Sequence, residues 1–209
     1  MSVNETTATA APLRSFLGDV LSALQSRASE SPDFDQSTIN ALVGDRGPQI
    51  LGRLLNGETS RGRGQMGTAA DVPWTAVFPA GSESAQDGFY LVYLFSKDGQ
   101  RVYLSLNQGT EQLKKHGGKP LLKRCLEIRT VVGARPDLEV ALDLSSSNAR
   151  PRNYEKGSAY AIEYRYGELP TESVLENDLT MMLGLLRKGV EGGISWPTTL
   201  EPLHLVFKW

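Results

Sequence analysis

Flat rings and guanidinium groups crowd one part of this 209-residue chain. Trp74, Phe89, Tyr90, Tyr93 and Tyr103 fall within three apolar runs, and Arg61 and Arg63 stand just ahead of them among Gly57, Gly62 and Gly64. Tyr160, Tyr164 and Tyr166 follow in a later run. An unpaired nucleic-acid base binds by stacking on such rings, while arginines hold the backbone beside it. Strand aromatics also pack cores, and Phe89 and Phe95 are read that way.

Other chemistries are poorly provided for. Gly62-Arg63-Gly64-Gln65-Met66-Gly67 has the spacing of a dinucleotide loop, but it precedes a strand instead of leading from a strand into a helix. Arg135-Pro136-Asp137 offers the first half of a metal-dependent nuclease motif, yet no lysine has an acid two residues before it. His116, His204 and the single cysteine, Cys125, are too few and too scattered for a zinc site, and one cysteine excludes an internal disulfide. There is no Gly-x-Ser-x-Gly elbow. The expectation is a protein without catalytic residues, metal or cofactor. A nuclease subunit with an unrecognised site and a protein-interaction domain remain the alternatives.

Hydrophobic periodicity indicates the elements that position these residues. Leu13, Phe16, Leu17, Val20, Leu21 and Leu24 define one face of a helix opened by Pro12. Ile39, Leu42 and Val43 suggest a short helix ending before Gly44-Asp45-Arg46-Gly47-Pro48, and residues 50–55 suit either helix or strand. Residues 56–65 read as a mobile basic loop. Strands are expected at 72–78, 89–95 and 101–107, the last two joined as an antiparallel hairpin through Asp98-Gly99. A basic helix spans 113–132, strands follow at 138–144 and 159–166, and a helix with Leu175, Leu179, Met182, Leu183 and Leu186 on one face stops at Gly192-Gly193. Residues 203–207 could add an edge strand. Helix, strands, then helix without a regular βαβ rhythm implies a single α+β domain, with a mixed or mostly antiparallel sheet flanked by helices. Residues 1–11 lack large apolar side chains beyond Met1 and Val3 and are expected to form a disordered tail before a domain at 12–209.

Charge narrows the partner. A net charge of -2 argues against indiscriminate coating of nucleic acid. Locally, residues 111–130 carry six bases against two acids, whereas 155–191 carry four against seven, so one face can meet phosphates. Without a membrane-length apolar run or a signal peptide, the expected location is cytoplasmic.

Gly62-Arg63-Gly64-Gln65, Val72-Pro73-Trp74, residues 84–95 and residues 102–110 resemble the McrB-like N-terminal domain, the DNA-reading module of modified-cytosine-dependent type IV restriction systems. The resemblance implies a duplex DNA partner carrying 5-methylcytosine or 5-hydroxymethylcytosine, with the modified base flipped into an aromatic pocket. It assigns Trp74, Tyr90 and Leu94 to that pocket. The glycine loop of Gly62, Arg63, Gly64 and Gln65 becomes the wedge, with Arg63 where the best-known member carries an aromatic ring. Arg61, Lys114, Lys115 and Lys119 are the expected phosphate contacts. Tyr90 and Leu94 lie an even number of steps apart on one strand and so share a face. The GTP-hydrolysing motor usually fused to this domain is not present in the chain, which leaves a cut-out module, a domain of a different restriction protein or a stand-alone reader as the alternatives, with a nuclease or GTPase partner or fused domain as the candidate associate.

Overall fold

The computed structural model describes residues 12–82, 88–110 and 118–194. The tail at 1–11 and the edge strand expected at 203–207 lie outside them. Five strands form one antiparallel meander in chain order: β1 (Thr59–Met66), β2 (Thr68–Phe78), β3 (Phe89–Phe95), β4 (Arg101–Gln108) and β5 (Tyr160–Arg165). The helices are α1 (Leu13–Ala28), α2 (Gln36–Ala41), α3 (Gly47–Leu51), α4 (Gly118–Val132), α5 (Ala149–Gly157) and α6 (Glu172–Glu191), with a π turn (Leu42–Arg46) joining α2 to α3. The chain is a single α+β domain, and its sheet is antiparallel throughout.

Each face of the sheet carries its own apolar cluster. On the helix side, Leu91, Tyr93, Phe95, Val102, Leu104 and Leu106 pack against α1, α4 and α6. All six periodic residues of α1 are buried there, as are the five of α6. Glu172, in the first turn of α6, accepts the backbone N–H of Leu13 and of Arg14, the latter at 2.8 Å. One carboxylate thus satisfies two of the donors that the start of α1 leaves open and locks the two long helices together.

Three expectations need correction, and one helix was not expected. The helix at Ile39 does not end before Gly44, because the π turn carries it on into α3, whose first turn accommodates Pro48. The basic loop at 56–65 is in large part β1, so Gly62, Arg63, Gly64 and Gln65 are strand residues. The alternating run at 138–144 makes only one bridge, Glu139 to Ala161, since the chain leaves the sheet there to fold Leu142 and Leu144 over its other face. α5 has no apolar stripe, burying only Pro151 and Gly157, and periodicity gives no sign of it.

Glu58, at the entry to β1, is almost fully buried and accepts a 2.6 Å hydrogen bond from Arg187 Nε of α6. Arg187 first, and the Asn56 backbone N–H after it, hold the Glu58 carboxyl below its ordinary value. A lowered folded-state pKa stabilises the fold above the unfolded value and is lost as pH falls through the folded one. Glu58→Gln is therefore expected to lower the melting temperature near pH 7 by roughly 2–4 °C, on about 1 kcal/mol after solvent screening of the partly exposed arginine. The gap between variant and wild type should close as pH is lowered below 4, which thermal melts across pH 3–7 would measure.

Candidate functional site

The second face of the sheet holds a smaller cluster: Val72, Trp74, Ala76 and Phe78 of β2, Tyr90, Val92 and Leu94 of β3, and Tyr103 and Ala161 behind them. Strand register makes this arrangement. Trp74 pairs with Leu94 and Leu94 with Tyr103, so these three side chains point to the same side, and Tyr90 joins them two pairs along, opposite Asn107. Leu142, Leu144 and Tyr154 of α5 close over them.

Trp74, Tyr90 and Leu94 line one cavity together with Val92, Asn107 and Tyr154. Their exposures of 8%, 4% and 2% place all three beneath the surface. The space among them is about 20 Å³, room for one water-sized group. Burial raises the Tyr90 phenol, which stays protonated and donates to the Gln108 carbonyl at 3.2 Å. Asn107 donates to the Tyr154 carbonyl at 3.0 Å and to Ser105 Oγ at 3.2 Å, fastening α5 to β4. Gly157 makes that approach possible, because a Cβ there would stand 2.5 Å from Asn107 Oδ1.

Outside this cavity, and sharing Trp74 and Tyr154 with it, lies a groove of about 170 Å³ between the start of β2 and the start of α5. Asp71 sits in it. Burial works against its charge, but Ser146, Lys97 and Asn148 all reach Oδ2, at 2.7, 3.3 and 2.6 Å, and together they lower the carboxyl pKa. Asp71 thereby ties β2 to the segment leading into α5.

The arginines of β1 belong to the same face. Arg63 is registered opposite Trp74 and Arg61 opposite Ala76, both arginines are exposed, and the Arg61 guanidinium lies 5.9 Å from the Phe78 ring centre. Gly62 is there for close approach: a Cβ would stand 1.6 Å from the Val43 carbonyl oxygen of the π turn. Gly64 falls at a shift of register between Arg63 and Gln65, against Asn40 of α2. The remaining tyrosines divide by face, with Tyr93, Tyr160 and Tyr164 in the helix-side core and Tyr166 exposed.

Among the expected phosphate contacts, Lys114 and Lys115 lie outside the described residues. Lys119 falls in α4, which packs through Ile128 and Val132 into the helix-side core and through Cys125 against Lys156 at the end of α5. Asp137 is engaged by Arg135 in a two-point ion pair, which holds its carboxyl at about 2. Among the described residues no three His, Cys, Asp or Glu side chains gather as they would around a metal, and no helix is long and apolar enough to cross a membrane. Sequence reasoning missed Tyr154 and Asn107. Tyr154 had no periodic neighbours to reveal its helix, and Asn107 looked like the polar end of a strand.

These features define an α+β domain that presents an aromatic cavity on one sheet face and a helical core on the other. Residues 36–191, about three quarters of the chain, match the model of the family described as MrcB-like, N-terminal domain, and the chain belongs to that family. The matched region runs from the first residue of α2 to the last of α6 and includes every strand and both cavities. No curated protein matches the chain.

Proposed function

We propose that this domain binds DNA for a type IV restriction system and reads a modified cytosine that it flips out of the duplex. Family membership supports the DNA-binding role in restriction. The observation that carries the finer reading is the convergence of Trp74, Tyr90 and Leu94 on one cavity whose lining residues Trp74 and Tyr154 also line the adjoining groove. Trp74 stacks on the flipped ring, Tyr90 bounds the far end, and Leu94 with Val92 meets the substituent at carbon 5. At about 20 Å³ the cavity holds one water-sized group, so Trp74 or Tyr154 has to shift to admit the flipped ring, and the duplex panel below ranks the methyl, hydroxymethyl and glucosyl substituents. Arg63, one strand from Trp74, reaches towards the space the base vacates, where its planar guanidinium can stack or donate hydrogen bonds.

The test is fluorescence polarisation with matched duplexes carrying plain, 5-methyl, 5-hydroxymethyl or glucosylated cytosine at physiological salt. Tighter binding of the methylated duplex, by about tenfold as one good stacking and burial contact provides, is the expected result. Equal affinity for all four duplexes overturns the base-flipping reading.

A further inference from the structure

Cations flank the aromatic groove on both sides. On one side stand Arg61 and Arg63 of β1, exposed and on the Trp74 face. On the other is α5, whose Arg150, Arg152 and Lys156 are all exposed. Arg150 and Tyr154, one helical turn apart, line the groove together. The only acid of α5, Glu155, accepts the Leu144 N–H at 2.9 Å. The nearest acid in the groove, Asp71, is engaged by Lys97, Ser146 and Asn148. α4 sends Ile128 and Val132 into the helix-side core and meets the end of α5 through Cys125, whose thiol donates to the Lys156 carbonyl at 3.4 Å.

We infer that α5 is the element that grips the phosphodiester backbone of the DNA strand whose base enters the groove, with Arg150 and Arg152 making the phosphate contacts and β1 holding the other side. This rests on the DNA-binding reading above, but not on base flipping. Each phosphate neutralised by a cation releases counterions, so removing a contact lowers the slope of log affinity against log salt by about 0.9. Phosphate contacts carry no base information, and their loss weakens binding to every sequence alike.

The experiment measures affinity of the full chain for methylated and plain duplexes across a salt series. Arg150→Ala/Arg152→Ala is expected to weaken both by roughly tenfold or more and to lower the slope by about 2, leaving their ratio unchanged. Lys123→Ala on α4, an exposed lysine facing Glu127 at 3.9 Å, should match wild type. Arg152→Glu alone, at an exposed position, gives the same direction of change should the double variant unfold, and Arg150→Lys/Arg152→Lys should retain the slope. A wild-type slope in the α5 variants, or a loss that falls on the α4 variant, overturns the inference. A wild type that binds both duplexes equally, yet loses slope with the α5 variants, overturns base flipping alone. A wild type that binds neither duplex at low salt overturns both.

Discussion

Trp74→Ala is expected to erase the preference for methylated over plain duplex while leaving much of the salt-dependent binding in place. Stacking of a base on an aromatic ring contributes about 1–3 kcal/mol, so its loss costs roughly 5- to 150-fold in affinity for the modified duplex. Plain duplex, held by phosphates, is affected little. The substitution also empties part of the pocket-side cluster, and the expected stability cost is about 3 kcal/mol or more, so thermal melts must accompany the binding curves. Tyr90→Phe is the matched control. It keeps the ring and removes only the hydroxyl that donates to the Gln108 carbonyl, so the preference should survive. A Trp74→Ala protein that folds and still prefers methylated DNA would remove Trp74 from the site.

The second large effect is on folding. Gly62→Ala is expected to lower the melting temperature by about 6–12 °C, following from about 3 kcal/mol in a domain of this size. A Cβ at Gly62 would overlap the Val43 carbonyl oxygen at 1.6 Å and crowd the Val43 carbonyl carbon at 2.5 Å, so β1 or the π turn has to move. That carbonyl also accepts the Thr75 hydroxyl at 2.9 Å, and displacing it disturbs β2 beside Trp74. Gly64→Ala meets Asn40 Oδ1 at 2.5 Å, the end of a side chain that can turn aside, and should cost less. Gly67, at φ +78° with no atom near its missing Cβ, carries only the backbone strain of a left-handed turn, about 1 kcal/mol. Equal, small effects at all three positions would return the segment to the mobile loop that its composition suggests.

That contrast explains what was legible in the sequence. α1, α6 and the β3–β4 hairpin were readable because each buries one regular face or turns on Asp98-Gly99, and both signals are local. Gly62 and Gly64 misled because glycine marks a flexible loop and a crowded strand equally well. What distinguishes the two is Val43 and Asn40, some twenty residues away in sequence. The run at 138–144 has the period of a strand, but Ala161 of β5 receives only Glu139, and Leu142 and Leu144 serve the opposite face while Leu138 stays on the helix side. The strand residues Trp74, Tyr90 and Leu94 were grouped by the resemblance, with parity joining Tyr90 and Leu94, and the structure brings all three around one cavity. Tyr154 was not found, because polar anchors hold its helix in place, with the Tyr154 carbonyl on Asn107 and the Glu155 carboxylate on the Leu144 N–H.

The two faces of the sheet share strands but not side chains. Parity along β3 sends Leu91, Tyr93 and Phe95 to the helical core and Tyr90, Val92 and Leu94 to the cavity. Mutational drift can therefore rework the cavity lining without entering the larger core. Val92, Leu94, Asn107 and Tyr154 form a small set of positions at which the cavity can be reshaped one residue at a time, while α1, α4 and α6 go on holding the scaffold unchanged.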